Sequence, residues 1–458
     1  MTRKTAIGLL VAVLLPAAAL LYPGTLDMQA RLALALAAFT VAMWTFEPVP
    51  IEYSSLLLLL LLPLLRVLSF ETAFSAFSGK AVWLIFSGMA LSLSITETPL
   101  GARIARTILS RVSSHGRLLV SIQVAAVVAA VLIPSAVVRV LIFMPLLVSL
   151  LKSLGERPGS RLSAAVILSF VCATYYGGTG ILTAGVPNLV VLGVVESRGE
   201  TIYWGQWAAC LLPVIGLLRV AMIYGLVRVL LPLPGGPVRL GGPSPADEVP
   251  ETVSPPEKKV LAILSAGVLL WSTDALHGIH PAFVGLTLVL VCYLPGWGPL
   301  SPAHLRKVNF PILIYIAAAF AVGHALEATG FSARASGLLS GLVSRAATGP
   351  ATGLAALTLT ILPFNFLGDT AAVAAIFTPI VLDIGAGLGL GTLPVALSAA
   401  IAASAICVPY QAAPFVLAYS FRYVGMGQFI RLMTLIAIGT LVLLLPLNLL
   451  YWQILGLI

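Results

Sequence analysis

Two charged residues stand inside long apolar stretches of the chain, and their chemistry is the first clue to function. Arg139 lies in the segment Ser135–Leu147 and Asp369 begins the segment Asp369–Val381, and neither segment contains another charge. A charge at membrane depth costs at least about 2.5–3.5 kcal/mol, so such a residue predicts a functional site. Arg139 stays protonated at physiological pH and can hold an anion, while Asp369 can carry a proton. A structural Arg139–Asp369 salt bridge is the alternative interpretation.

A second feature is the run Tyr175–Asn188, which interrupts an apolar span with four glycines and a proline. A continuous helix is not expected there, and non-helical backbone at membrane depth requires a protein or water-filled surrounding. The start of a half-helix presents unpaired N–H groups that attract an anion, whereas converging carbonyls would attract a cation. A glycine-rich packing contact between helices is the alternative. The segment Val408–Pro414 is the less distinctive counterpart in the second half.

These features together define a candidate site. Its hydroxyl and amide groups would supply hydrogen bonds, Arg139 the positive charge, and Asp369 the binding of a coupling ion. Glycines at the break would let the backbone approach a ligand closely. The predicted substrate-binding side chains are Ser135, Arg139, Thr179, Asn188, Asp369 and Thr370, and the predicted backbone positions are Gly177, Gly178, Gly185, Pro187 and Pro414.

The elements that must position this site are membrane helices. Of 458 residues 60% are hydrophobic and 9% are charged, whereas soluble domains carry about 25% charged residues. At roughly 20 apolar residues per span, the chain should cross the bilayer about ten or eleven times. The net charge of +9 comes from Lys and Arg near helix ends, which we interpret as topology signals rather than nucleic-acid contacts. This distribution predicts a cytoplasmic N-terminus in the cytoplasmic (inner) membrane.

The two halves of the chain share a pattern. Segment Ser135–Leu147 aligns without gaps with Asp369–Val381, and Pro145 meets Pro379. An odd number of crossings between the copies would make the repeats inverted. The predicted fold is therefore an all-α polytopic membrane protein with two inverted repeats, each containing a re-entrant helical hairpin and a broken transmembrane helix. The expected divisions are N-terminal scaffold helices at 1–70, repeats at 71–232 and 258–458, a cytoplasmic linker at 233–257, and hairpins at 118–151 and 351–386.

At these residues the chain resembles the divalent anion/sodium symporter family, which includes dicarboxylate, citrate and sulfate carriers. The resemblance rests on the Trp/Glu/Pro stretch Ala42–Pro50, the glycine-rich segment Gly177–Asn188 and the terminal segment Tyr423–Gly439. It implies an elevator-type carrier that is usually a homodimer. It also implies two re-entrant hairpins whose Ser-Asn-Thr tips hold sodium and substrate.

The hairpin tips depart from the family pattern. The matching positions read Ser135-Ala136-Val137 in the first hairpin and Asp369-Thr370-Ala371 in the second. Sodium needs neutral oxygens in place of water, and three of these six side chains offer no oxygen. We therefore predict that the two sodium sites of the family are not both present. Coupling could be to protons, to sodium through backbone oxygens, or to exchange.

The sequence favours a secondary active transporter of a small anion, such as a dicarboxylate, another organic anion or sulfate. It would work by elevator-type alternating access, with sodium or a proton as a possible coupling ion and no cofactor or bound metal. A cation/proton antiporter, in which Asp369 binds the ion and Arg139 stabilises crossed half-helices, is the alternative. An intramembrane enzyme is less favoured, because no nucleophile–base pair or metal cluster occurs at membrane depth.

Overall fold

The computed structural model describes residues 3–21, 26–109, 114–233 and 252–458, with side chains except at 3–6, 105–109 and 367. Within these ranges the regular secondary structure is helical, without a strand. The first half contains α1 (Arg3–Leu21), α2 (Met28–Phe46), α3 (Ile51–Leu64), α4 (Phe70–Phe74), α5 (Lys80–Thr96), α6 (Leu100–Leu109), α7 (His115–Leu132), α8 (Ala136–Ser153), α9 (Arg161–Tyr176), α10 (Val186–Ser197), α11 (Trp204–Leu211) and α12 (Arg219–Leu230). The second half contains α13 (Pro255–Ser272), α14 (Asp274–His277), α15 (Pro281–Cys292), α16 (Pro311–Ala328), α17 (Phe331–Ala346), α18 (Pro350–Ile361), α19 (Thr370–Gly387), α20 (Thr392–Ser404), α21 (Ala413–Ser420), α22 (Met426–Gly439) and α23 (Leu445–Ile454).

The lengths of these helices confirm a polytopic membrane protein. In the described ranges eight helices are long and apolar enough to cross a membrane, and a ninth span results if Phe70–Ser78 and Lys80–Thr96, bent by 46°, count as one. The sequence prediction of ten or eleven crossings is higher because it counts broken segments as whole spans. The structure divides those segments into shorter apolar helices, such as Val186–Ser197 and Thr392–Ser404.

Helices follow each other in the same order in both halves. Helix α8 begins at Ala136 and α19 at Thr370, 234 residues later, and the same order relates α9 to α20 and α10 to α21. One further feature recurs: a π-helix at Leu212–Leu218 joins α11 to α12, and a π-helix at Thr440–Leu444 joins α22 to α23. Among the longer helices the order can be followed from α2 and α13 onward, which includes helices of the predicted N-terminal scaffold, and the boundary between scaffold and repeat stays a prediction.

Contacts between the halves are reciprocal. Helix α10 packs against α19 of the other half, and its counterpart α21 packs against α8. In the same way α5 packs against α15, and the counterparts of these two helices, α16 and α3, pack against each other. A two-fold relation between the halves would produce such an exchange, because each contact would then occur twice with the roles reversed. The direction of each half in the membrane, and therefore the inversion, stays a prediction.

The two predicted hairpins are helix–break–helix units. Pro134 forces the residue before it away from helical geometry, and Ile133 accordingly adopts an extended conformation at the end of α7. Ser135 then caps α8, because its hydroxyl accepts from the Val138 backbone N–H. Asp369 caps α19 in the same way through the Ala371 N–H. Each hairpin break therefore coincides with a capping residue at the predicted tip, and whether the hairpins are re-entrant stays a prediction.

The predicted linker 233–257 lies mostly outside the described residues, which omit 234–251. Its end is helical, because Ser254 and Glu257 form a capping box at the start of α13. Glu257 is almost fully buried and pairs with Arg103 of α6 at 2.7 Å. The hydrogen bond from Arg103 lowers the pKa of Glu257 to about 2. This ion pair fixes the start of the second half against the first.

Candidate anion-binding site

The residues of the first break are buried in the interior of the protein. Helix α9 with the turn that follows it, Arg161–Gly180, is almost entirely enclosed by protein, and 94% of its most apolar 18 residues are buried. Two short 3₁₀ turns, Gly177–Gly180 and Leu182–Ala184, separate α9 from α10. Asn188 closes this break, since its side-chain amide donates to the carbonyls of Gly178 at 3.2 Å and Ile181 at 3.0 Å. Pro187, in the first turn of α10, has no N–H to satisfy.

Glycines at the first break allow close helix packing. A Cβ atom on Gly180 would lie 2.8 Å from Leu212 Cα in the π-helix, and one on Gly177 would lie 2.7 Å from a Val220 methyl. Gly178 faces the Arg139 guanidinium, since its Cβ would lie 3.3 Å from Nη2. Gly185 has extended backbone and no atom nearer than 3.7 Å to a Cβ. Gly177 and Gly180 therefore do form the packing contact that the alternative interpretation expected. The helix is nevertheless broken at these residues, as the site interpretation expected.

The second break is held by two amides that the sequence analysis did not select. Helix α20 ends at Ser404, a 3₁₀ turn follows at Pro409–Gln411, and Pro414 lies in the first turn of α21. The Gln411 side-chain oxygen accepts from the N–H groups of Cys407 and Val408, and its amide donates to the Asn365 carbonyl at 2.6 Å. The Asn365 amide in turn donates to the carbonyls of two residues at the end of α20, Ala402 at 2.8 Å and Ala405 at 3.2 Å.

Arg139 joins the first hairpin tip to the first break. It is fully buried, and it donates to the Ile133 carbonyl at 2.7 Å, the Thr174 hydroxyl at 2.7 Å, the Thr174 carbonyl at 3.0 Å and the Ala184 carbonyl at 2.9 Å. Four of the five N–H groups of a guanidinium are thereby occupied. Arg139 and Asn365 have matching roles, because each connects a hairpin tip to open carbonyls at the end of a broken helix.

The second hairpin tip makes separate contacts. Asp369 accepts from the Tyr315 hydroxyl at 2.9 Å and from the Ala371 N–H at 2.8 Å. No hydrogen bond or ion pair between Asp369 and Arg139 occurs among the described contacts. Thr370 is buried and lies 3.2 Å from the Tyr175 hydroxyl, which donates to it. The second tip is therefore connected to the first break through Tyr175 and not through Arg139.

Hydrogen bonds connect some of the predicted site residues across the molecule and leave others with local contacts. Thr179 is buried beside Tyr176, whose hydroxyl donates to the Ile406 carbonyl of the second break at 2.8 Å. The Ser135 hydroxyl makes its described hydrogen bond within its own tip, to the Val138 N–H at 3.4 Å. Both breaks and the second tip are thus linked directly, whereas Ser135 has only local side-chain hydrogen bonds.

A second buried arginine, Arg219, was missed by the sequence analysis. It is fully buried at the start of α12, directly after the first π-helix. Its Nη1 lies 3.0 Å from the Ser404 hydroxyl and 3.4 Å from both the Thr179 hydroxyl and the Tyr176 carbonyl, and its Nε donates to Thr440 at 2.8 Å. An arginine near the middle of the apolar run 206–232, far from either end, is the signal that could have revealed it.

The side-chain and backbone oxygens of this site belong to hydroxyls, carbonyls and one carboxylate, that of Asp369. Within the described ranges no group of three or more His, Cys, Asp and Glu side chains could hold a metal ion. The site contains two guanidinium groups, the Asp369 carboxylate, several hydroxyls and the open ends of broken helices.

Similarity to known proteins agrees with this chemistry. The sequence profile of the sodium:sulfate symporter transmembrane region matches residues 2–458. A membrane protein of Cupriavidus necator is 26% identical over 340 residues, which are 70% of this chain and 66% of that protein. The L-tartrate/succinate antiporter of Escherichia coli K12 is 26% identical over 414 residues, covering 84% of this chain and 81% of that protein. The L-tartrate/succinate antiporter of Shigella flexneri is 25% identical over 415 residues. Because the profile extends over nearly the whole chain, this protein belongs to the sodium:sulfate symporter family.

Proposed function

We propose that the protein is a secondary active transporter of a small dicarboxylate. The observation that carries this proposal is the pair of fully buried guanidinium groups, Arg139 and Arg219, whose described hydrogen bonds all go to neutral oxygens. Unpaired charges inside a protein are costly, and a ligand of opposite charge offsets that cost. Both groups contact the segment from Thr174 to Thr179, so a divalent anion bound there would be near two positive charges.

Relatives support the choice of a dicarboxylate. Tartrate and succinate, named for the antiporters of Escherichia coli and Shigella flexneri, each carry two carboxylates at neutral pH. Arginine holds a carboxylate by two parallel hydrogen bonds, which fits this substrate class. Sulfate, the anion in the family description, has the same charge and is the comparison substrate.

Coupling is the second part of the proposal. The fixed positive charges of Arg139 and Arg219 take the electrostatic role that bound sodium would have beside an anion, so exchange of one dianion for another does not require two sodium sites. Asp369 is proposed as the group that carries a proton in proton-coupled transport; the hydrogen bonds from Tyr315 and Ala371 both go to its Oδ1, so the proton would be carried on Oδ2. The cation/proton antiporter alternative is less favoured, since it leaves both buried guanidinium groups without an anion.

We further propose elevator-type movement of the hairpins and broken helices as one body. Side-chain hydrogen bonds from Arg139, Arg219, Asn365 and Tyr176 connect these segments. A unit connected in this way can move rigidly past surrounding helices. The homodimer, the scaffold at 1–70, the repeat boundaries and the orientation with a cytoplasmic N-terminus in the cytoplasmic membrane belong to the same proposal.

Uptake into proteoliposomes tests this function. Labelled succinate, tartrate and sulfate would be supplied to empty vesicles, to vesicles preloaded with unlabelled succinate, and under imposed sodium or proton gradients. We expect uptake of the dicarboxylates to depend on preloading and not on sodium. Failure to transport any of these anions under all conditions would contradict the proposal.

Sodium titration of the purified protein provides an independent test of coupling. We expect little sodium-selective change in melting temperature when sodium replaces potassium at constant ionic strength, because the hairpin tips offer few neutral oxygens. Saturable, cooperative stabilisation by sodium would contradict this expectation and would indicate two sodium sites.

A further inference from the structure

We infer that Arg219 is a substrate-contacting residue whose guanidinium binds one carboxylate of the transported dicarboxylate. This inference rests on the proposed function and deepens it, because it assigns a subsite to a residue outside the predicted hairpin tips. Arg219 is fully buried, and its Nη2 has no hydrogen-bond partner among the described residues. A buried charged donor without a partner is costly and calls for an explanation.

The contrast with Arg139 distinguishes the two arginines. Arg139 uses four donors on protein oxygens, and three of its acceptors are backbone carbonyls that need partners at the breaks. In Arg219 the Nη2 nitrogen has both of its N–H groups available for a ligand. Its two shorter hydrogen bonds go to hydroxyls, at 2.8 Å to Thr440 and 3.0 Å to Ser404. Both hydroxyls donate to a carbonyl of their own helix, Thr440 to Ile436 and Ser404 to Ile401, and a hydroxyl can rotate to donate to an anion, whereas a carbonyl cannot. Arg219 therefore has a nitrogen free for an oxyanion, whereas Arg139 has both of its terminal nitrogens on backbone carbonyls.

The position of Arg219 also fits a ligand site. Thr179 belongs to the first break, Ser404 ends the helix before the second break, and Thr440 begins the second π-helix. Arg219 itself follows the first π-helix, and the two π-helices contact each other. Local π-helices occur frequently at functional sites. Arg219 is therefore located where both broken helices and both π-helices meet.

The chemistry selects an oxyanion with a planar pair of acceptors. The Nη1 and Nη2 groups of arginine form a fork that matches a carboxylate, and burial strengthens such a pair. In Arg219 the Nη2 group is without a partner in the described part of the chain, and two of the three Nη1 contacts are as long as 3.4 Å. The Tyr176 ring, 5.3 Å from the Arg219 guanidinium carbon, supports the charge from the side without using a donor. A carboxylate on Nη2 would complete the hydrogen bonding of Arg219.

Calorimetric binding of succinate, tartrate and sulfate to the purified full-length protein tests the assignment. We expect Arg219→Gln to weaken succinate and tartrate binding about thirtyfold or more, which corresponds to loss of one buried charged contact. Arg219→Lys should lose about tenfold, because an ammonium keeps the charge but not the fork. The matched control is Arg228→Gln, which removes the same charge from an exposed position in the last turn of the same helix, and its affinity should equal that of the wild type.

Melting temperatures without ligand separate binding from a structural role. Arg219→Gln leaves no buried carboxylate without a partner charge, so we expect its melting temperature without ligand to be no lower than that of the wild type. Succinate should no longer raise the melting temperature of this variant. Wild-type affinity in Arg219→Gln would overturn the assignment of Arg219 and leave the proposed function intact, whereas no anion binding by the wild type would contradict the proposed function itself. If Arg219→Gln does not yield folded protein, Arg219→Lys decides: unchanged affinity overturns the assignment, and a tenfold loss supports it.

Discussion

The hydroxyl of Tyr176 donates a 2.8 Å hydrogen bond to the carbonyl of Ile406, and the two residues lie at the two breaks. Tyr176 is the last residue of α9, and Ile406 lies just beyond the end of α20. Backbone groups freed by a broken membrane helix must find partners within the protein. The first break therefore supplies the hydroxyl donor that the free carbonyl at the second break requires.

Tyr176→Phe should weaken this connection. The change keeps the ring beside Arg219 but leaves the buried Ile406 carbonyl unpaired, at a cost of about 1–3 kcal/mol. We expect a lower melting temperature and slower uptake. The matched control is Tyr451→Phe, which removes a 2.9 Å hydrogen bond to the Ala209 carbonyl of α11 that does not join the two breaks. Equal effects of both changes on uptake would show that the bond between the breaks has no special role.

Gly180→Ala should disrupt the contact between the first break and the first π-helix. Its Cβ would lie 2.8 Å from Leu212 Cα and 3.1 Å from Gly216 Cα, and backbone atoms cannot move aside cheaply. We expect a loss of about 1–3 kcal/mol in stability together with impaired transport. Gly225→Ala in α12 is the control, because no atom lies within 4 Å of the added methyl. Unchanged melting of Gly180→Ala would contradict the close approach.

Arg139→Gln should destabilise the protein, because it opens the carbonyls of Ile133, Thr174 and Ala184, at about 1–3 kcal/mol for each buried group left unpaired. Asp369→Asn should not rescue this loss, since the described contacts do not join the two residues. In a double-mutant cycle on melting the two effects should add within about 0.5 kcal/mol. Recovery of stability and uptake in the double variant would instead indicate a direct Arg139–Asp369 pair.

Glu257 makes stability depend on pH. Its pKa in the folded protein is about 2 because Arg103 donates to it, against an ordinary value of 4.5. A lowered folded-state pKa contributes stability that is present above the unfolded value and lost as pH falls from about 4.5 toward 2. Glu257→Gln should melt lower than the wild type at pH 7, and the difference should shrink toward pH 3. Parallel melting curves over this pH range would contradict the role of the pair.

The broken helices were predictable because their cause is local. Four glycines and a proline within Tyr175–Asn188 exclude a continuous helix whatever surrounds them, and the structure confirms breaks there and at Val408–Pro414. Ser135 and Asp369 were selected as hairpin-tip residues from the repeat and the family resemblance, and the structure shows that both are also helix caps. The all-α polytopic fold followed from composition.

Partners across the molecule were not predictable. Tyr176 and Ile406 are 230 residues apart, and no local pattern specifies that contact. Arg219 lies in an apolar span without a cluster of glycines, so the search for helix breaks did not lead to it. From the sequence we expect Arg139 to bind either an anion or Asp369. That expectation does not include the backbone carbonyls that the breaks expose. A residue near a break must first satisfy the backbone, and this requirement appears only once the chain is folded.

Reciprocal packing between the halves has a consequence for biosynthesis. Helix α10 rests on α19, and α8 rests on α21, so a nascent chain that ends before α13 cannot bury either element against its final neighbour. The helices inserted first must therefore remain in the bilayer with unpaired polar groups until the later helices are inserted. We expect chains whose synthesis stops between these two stages to be degraded. Two separately expressed fragments, divided within the linker, should accumulate only when they are produced together.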